Sequence, residues 1–215
     1  MNPDQHRKNQ VGAPRPRASA FARIERMPPL LMLLYLLLLG STVLFVVLLA
    51  AYAHTRAQNG LPTGLHPFPR PFTLSTIVLL VSSYILSQAP RLYRHDNLSG
   101  LTRCLGATLL LGGVFAGLQL LGWRELHQQG VFFAGAASGS YIYFISALHV
   151  AHLLGGMLFL LVVLLRTLHA RRDAIRGLVF IRNPYHRRQL ALLGTFWHFI
   201  DGLWVVLFGV FLFLY

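Results

Sequence analysis

Two stretches of this chain place chemically capable side chains inside segments apolar enough to cross a membrane. One reads Leu148-His149-Val150-Ala151-His152-Leu153-Leu154-Gly155-Gly156, the other Trp197-His198-Phe199-Ile200-Asp201-Gly202-Leu203-Trp204. Residues three and four apart share a helix face, so His149, His152 and Gly156 align. By the same rule Trp197, Asp201 and Trp204 align, with His198 beside Asp201. Imidazoles opposite a carboxylate leave four chemistries open. They can close a structural polar clamp sealed by the indoles. They can hold a haem between facing helices as axial ligands, although a carboxylate is an odd neighbour for two such ligands. His149-x-x-His152 has the spacing of a di-iron His cluster, but it lies mid-membrane rather than near the cytoplasmic surface. Asp201 can serve a proton relay, for which few further stepping stones are present. An ionised Asp at the centre of a spanning helix costs about 2.5–3.5 kcal/mol on insertion scales, so a partner on a neighbouring helix is expected. Counted from the cytoplasmic helix ends, His152 lies about 20 Å above Leu165 and Asp201 about 16 Å above Leu190. The heights match for an interhelix hydrogen bond, and the clamp is the reading these residues favour.

Five apolar segments must position these groups: residues 30–53, 72–89, 103–122, 141–165 and 190–215. Each has about 18 residues or more, or about 27 Å as helix, enough for a hydrocarbon core of ~30 Å with adjustment at the ends. The hydrophobic content is 55%, charged residues make up 12%, and mean hydropathy is +0.56. Such a balance excludes a soluble domain and predicts an all-α, polytopic membrane bundle. Residues 1–29 are basic, Pro- and Ala-containing and without an apolar run, and read as a disordered cytoplasmic tail. Residues 30–215 read as one membrane domain. The first segment ends in Ala51-Tyr52-Ala53, but it is much longer than a signal-peptide core and is expected to stay as a helix.

Charge orients the bundle. Of the 19 Lys and Arg, 16 fall in the N-terminal tail and in the loops after the second and fourth segments; only Arg56, Arg70 and Arg124 fall on the other side. This asymmetry places the N-terminus in the cytoplasm and the C-terminus outside, which an odd number of spans allows. It also accounts for the net charge of +13 without nucleic acid as a partner. The lone Cys104 excludes an internal disulfide and a Cys-pair metal site, and reads as a packing residue. No P-loop, dinucleotide fingerprint or internal repeat is present, and the last absence argues against most secondary transporters.

Small and hydroxylated residues mark contact faces. Gly113 and Gly117 in the third segment form a small-xxx-small pair that lets another backbone approach. Gln119 follows them, and Gly155 and Gly156 follow the fourth segment's histidines. Ser75, Thr76, Ser82 and Ser83 suit a second helix packed against protein rather than lipid. Tyr52 and Arg56 end the first segment, where they can anchor at the interface or hold a phospholipid headgroup through charge-assisted bonds. Trp123, Tyr141 and Tyr143 read as an outer aromatic belt.

The run from Leu148 to Gly156, together with Trp197-His198-Phe199-Ile200-Asp201 and Trp204, resembles the last two helices of subunit III of haem-copper cytochrome c oxidases. The likeness is strong over 139–215, moderate over 30–122 and absent over 1–29. Members often have seven helices; this chain resembles the five-helix bacterial forms that lack the first two. Two positions depart from the family pattern. Ser41 stands where the family commonly has an intramembrane Glu, and the acidic residue often found soon after the position of Gln119 is replaced around Gly122. The resemblance implies a non-catalytic subunit of a proton-pumping terminal oxidase in the bacterial inner membrane. It implies no metal or haem in this chain, with the haems and coppers in partner subunits I and II. Subunit I would be the main contact, phospholipid would be bound, proton uptake would be sustained, and cytochrome c would act indirectly through subunit II. Two alternatives stay open: the subunit-III-like protein associated with nitric oxide reductase, for which the missing Glu speaks, and a haem b membrane electron carrier.

Overall fold

The computed structural model describes residues 29–58, 69–133 and 137–214. Seven helices follow in order: α1 (Pro29–Gln58), α2 (Arg70–Ser87), α3 (Ala89–Arg94), α4 (Leu98–Gln128), α5 (Ala137–Arg171), α6 (Ala174–Arg182) and α7 (Pro184–Leu214). Five spans are long and apolar enough to cross a membrane: α1, α2 with α3, α4, α5 and α7. The expected tail over 1–29 lies outside the described residues except for Pro29, which opens α1.

Every spanning helix except α2 runs well past its apolar segment. Hydropathy falls where the side chains meet headgroups, whereas the backbone ladder continues until a cap or a Pro interrupts it. Asn97 caps α4 by accepting from the Gly100 amide at 2.8 Å, after Asp96 turns the chain at φ +56°. Asp173 caps α6 at the Ile175 amide, and Asn183 accepts from the Tyr185 amide at the start of α7. Pro90 lacks the N–H that would continue α2. The helix therefore breaks at Gln88 and resumes as the short α3.

The most extensive contacts join α2 to α4, α4 to α5, and α7 to both α5 and α2. These four helices form the body of the bundle. α1 leans on α5 and α7 through a single face: only Ser41, Phe45 and Tyr52 are buried, and most of its leucines and valines are exposed. Tyr52 packs its ring against Tyr141 of α5 and Phe211 of α7. The core between the helices is aromatic, with Phe72, Phe115, Trp197 and Trp204 enclosed. Two glycines make room for these rings. A Cβ on Gly122 would stand 2.8 Å from the Phe72 ring, and one on Gly156 would stand 2.9 Å from the ring of Phe196.

Candidate functional site

The side chains singled out by sequence converge on α7, and their partners are mainly hydroxyls of α2. Trp197 Nε1 donates to Ser82 Oγ at 3.2 Å, and Trp204 Nε1 donates to Thr76 Oγ1 at 3.0 Å. His198 Nδ1 lies 2.7 Å from Ser83 Oγ at the edge of the same contact. The spacing explains the pairing. Trp197 and Trp204 are seven residues apart, two helical turns, and Ser82 and Thr76 are nearly as far apart on an antiparallel neighbour. A buried indole N–H needs an acceptor, and Ser or Thr supplies one without separating the helices. Thr76 also donates to the Phe72 carbonyl at 2.8 Å, so its hydroxyl is used both ways. Ser75 extends the row to α4 by accepting from Gln119 Nε2 at 3.0 Å.

The α5 histidines diverge. His149 is fully buried, with its ring 4.9 Å from Trp204 and edge-on to Phe115 at 5.8 Å. His152 turns toward α1. Its Nδ1 donates to the Leu148 carbonyl at 2.8 Å, so in the neutral ring Nε2 accepts from Ser41 Oγ, 3.1 Å away. The expected hydrogen bond between His152 and Asp201 is therefore not formed. His149 does not replace it, since neither of its ring nitrogens has a hydrogen-bond partner among the described residues. Three residues along a helix amount to about 300°, so His149 and His152 point about 60° apart and serve different neighbours. Asp201 is 3% exposed, and neither carboxylate oxygen meets hydrogen-bond geometry among the described residues. Ser83 stands near enough to interact with the carboxyl, but its hydroxyl is aligned on His198.

The other expected contact residues divide. Gln119 and Gly156 are buried at helix contacts. A methyl placed on Gly113, Gly117 or Gly155 would meet nothing within 4 Å, so these three face away from the other described helices. Gly112, one residue from the expected pair, is the close contact, 3.2 Å from the Trp197 ring by the same measure. A shift of one residue turns a helix by about 100°, enough to exchange an inward for an outward face. Tyr52 sits in the core rather than at an exposed end; Arg56, one turn further on, is half-buried. Trp123 and Tyr143 tie α4 to α5: Trp123 Nε1 donates to Ser146 Oγ at 2.9 Å, and Tyr143 Oη donates to the Val131 and Trp123 carbonyls.

Two residues central to this arrangement carry no packing signal of their own in the sequence. Ser41 stands out there only as a departure from a family pattern, and Phe45 not at all, yet Phe45 lies edge-on to His152 at 5.5 Å. Their spacing of four on α1 is the one signal that could have found them. Chemically the site offers neutral donors, hydroxyl acceptors and rings packed edge-on or at a tilt. Among the described residues no group of three or more His, Cys, Asp or Glu side chains is gathered as a metal would require. His149 is enclosed by rings, and a macrocycle there would have to displace Trp204 or Phe115.

Residues 29–215 match the family model described as cytochrome c oxidase subunit III. The chain is 32% identical over 178 residues to cytochrome c oxidase subunit 3 of Bacillus sp. (strain PS3), covering 82% of this chain and 81% of the relative. To cytochrome c oxidase subunit 3 of Bacillus subtilis (strain 168) it is 32% identical over 181 residues, covering 82% of each. To cytochrome bo(3) ubiquinol oxidase subunit 3 of Pseudomonas aeruginosa it is 31% identical over 182 residues, covering 82% of this chain and 80% of the relative.

Proposed function

This chain belongs to the cytochrome c oxidase subunit III family and is a multi-pass membrane subunit of a haem-copper oxidase; from that premise we propose that its residues serve packing and docking while the redox chemistry stays in companion subunits. The observation that carries this reading is the use made of the α7 motif. Trp197, Trp204 and His198 each meet a hydroxyl of α2, and the Trp204 ring packs at a tilt against His149. These are bonds that fix one helix against another. In this reading Trp197, His198 and Trp204 fasten α7 to hydroxyls of α2, His149 packs against Trp204, His152 ties α5 to Ser41 of α1, and Asp201 lies buried beside them with no hydrogen bond of its own among the described residues.

The surfaces left over support a docking role. α1 exposes one long apolar flank, and α4 turns Gly113 and Gly117 outward. Outward small residues let a helix of another chain approach closely. In this reading subunit I packs on such a face, subunit II lies beyond it, and cytochrome c donates through subunit II. The relatives include both cytochrome c and ubiquinol oxidase subunits, so the donor is tested by offering the purified assembly each reductant. Arg56 would meet a phospholipid phosphate at the outer end of α1, whose position Tyr52 fixes. Ser41 holds His152 where a carboxylate is common in the family, so any support of proton uptake would come through packing rather than through an acid at that position. The distribution of Lys and Arg supports a cytoplasmic N-terminus and a periplasmic C-terminus, and the bacterial oxidase relatives support the bacterial inner membrane as its location.

The test is affinity purification of the tagged chain from native membranes under mild detergent. Two larger polypeptides carrying haem and copper should co-purify in fixed ratio. Recovery of the chain alone, or with a non-respiratory partner, would overturn the proposal.

A further inference from the structure

At the end of the bundle that carries Arg56, the last turns of α4, the bend after them and the start of α5 enclose an open pocket of about 430 Å³. Trp123, Arg124, His127, Gln128, Phe133 and Tyr143 line it. From this setting we propose that the pocket receives a carboxylate side chain, an Asp or Glu on an outer segment of a companion subunit, with the Arg124 guanidinium as its counter-charge. Such a partner exists only if the chain is one subunit of a larger oxidase, as read above.

The pocket has a fixed frame. Gly130, at φ +82°, ends α4. The amides of Gln129, Gly130 and Val131 then turn back to the carbonyls of Glu125, His127 and Leu126 at 3.0–3.1 Å. Tyr143 Oη reaches the Trp123 and Val131 carbonyls at 3.1 and 2.9 Å, which pins the bend to α5. Ser140 Oγ donates to the Phe133 carbonyl at 2.5 Å, and the Phe133 ring lies edge-on to Tyr143 at 6.3 Å.

Within that frame Arg124 is left without work. A basic side chain near a helix C-terminus commonly serves the last carbonyls, but here backbone amides and Tyr143 already serve them. Arg124 makes no ion pair or hydrogen bond among the described residues. Glu125, one residue on, points about 100° away and does not line the pocket. Only three of the 19 Lys and Arg fall at this end, so Arg124 is no part of the charge signal that orients the chain. Its five N–H donors share the pocket with the His127 ring and the Gln128 amide. A carboxylate, which only accepts, suits such a set.

The lining and the rim point to a polypeptide as the source of that carboxylate. Rings and polar side chains make up the lining, and no aliphatic residue is there for an acyl chain to follow. A small acid from solution would sit in an open mouth, where a single exposed ion pair holds little. A polypeptide covers the mouth with its neighbouring residues. It also finds two exposed rings beside the pocket, Phe132 and Phe133, of the kind enriched in protein interfaces. Phe132 is steadied edge-on by His127 at 4.8 Å.

The test uses the purified oxidase assembly carrying Arg124→Lys and a water-soluble carbodiimide, which condenses an amine with a carboxylate in contact with it. The substitution keeps the positive charge and adds an amine to a chain whose one native lysine is Lys8. Peptide mass spectrometry should find position 124 joined to an Asp or Glu of one companion subunit. The product should be lost in Arg124→Gln and should persist with excess free glutarate present. His127→Lys, one turn along the same pocket, should capture the same companion peptide, and serves if Arg124→Lys fails to assemble. Companions present in fixed ratio with no such product would overturn the proposal and leave the subunit reading standing. So would condensation only with an acid of this chain, with glutarate or with a lipid carboxylate. Absence of any companion would overturn the subunit reading, and the proposal with it.

Discussion

Thr76→Val in α2 removes the acceptor of the Trp204 indole while keeping the shape of the side chain. Both residues are buried, and their bond is 3.0 Å long. Valine leaves the Nε1–H without an acceptor among hydrocarbon side chains, a loss of about 1–3 kcal/mol. The Thr76 bond to the Phe72 carbonyl is lost as well, but that carbonyl belongs to a helix that already engages it, so its share is small. Trp204→Phe removes the donor and also part of the ring that packs on His149, Phe115 and Phe72, and should cost more than Thr76→Val through the space it leaves. The double variant isolates the bond. Interhelix hydrogen bonds in membranes show couplings averaging about 0.6 kcal/mol and reaching about 1.7, and a buried indole pair belongs in the upper half of that range. The assay is SDS titration of the chain in mixed micelles, followed by circular dichroism so that loss of an indole does not change the signal. Additivity within about 0.3–0.5 kcal/mol would refute the reasoning, because independent sites behave that way.

Other contacts give sharper contrasts. Gly122→Ala should cost about 1–3 kcal/mol in the same titration because its methyl meets the Phe72 ring, whereas Gly113→Ala should be close to neutral. Tyr93→Phe should speed amide exchange over residues 174–183 with little change in α4, since its hydroxyl is what holds the end of α6; unchanged exchange there would count against it. Ser41→Ala should cost less than about 1.5 kcal/mol, as His152 keeps its bond to the Leu148 carbonyl. Asp201→Asn preserves the shape of a group that makes no hydrogen bond among the described residues, and should assemble as well as the parent chain. Loss of assembly in that variant, measured by subunit ratio, would mean that the charge itself is required.

The spans are legible in the sequence because about twenty apolar residues leave a chain few alternatives in lipid; their extensions are not, because a helix outlasts its apolar run. Depth is legible too: His152 and Asp201 can be counted to similar heights. Azimuth is not. Counting residues gives the rise along an axis but not the rotation of one helix against its neighbour. That is why depth pairs His152 with Asp201 although it bonds Ser41, and why spacing points to Gly113 where Gly112 makes the contact. The α2 hydroxyls are legible as packing groups, since Ser and Thr are otherwise wasted in a lipid-facing helix. Their individual partners are not, because any buried donor two turns apart would have served. The rings around His149 come from several helices, and nothing local in the sequence joins them.

The central claim, that this chain fastens helices and leaves electron transfer to its companions, is tested most directly by a reduced-minus-oxidised spectrum of the chain separated from the purified assembly. The account expects no Soret band on the separated chain, with all haem remaining on the other subunits. A haem bound to it in one-to-one ratio, and lost on His149→Ala or His152→Ala, would contradict the account.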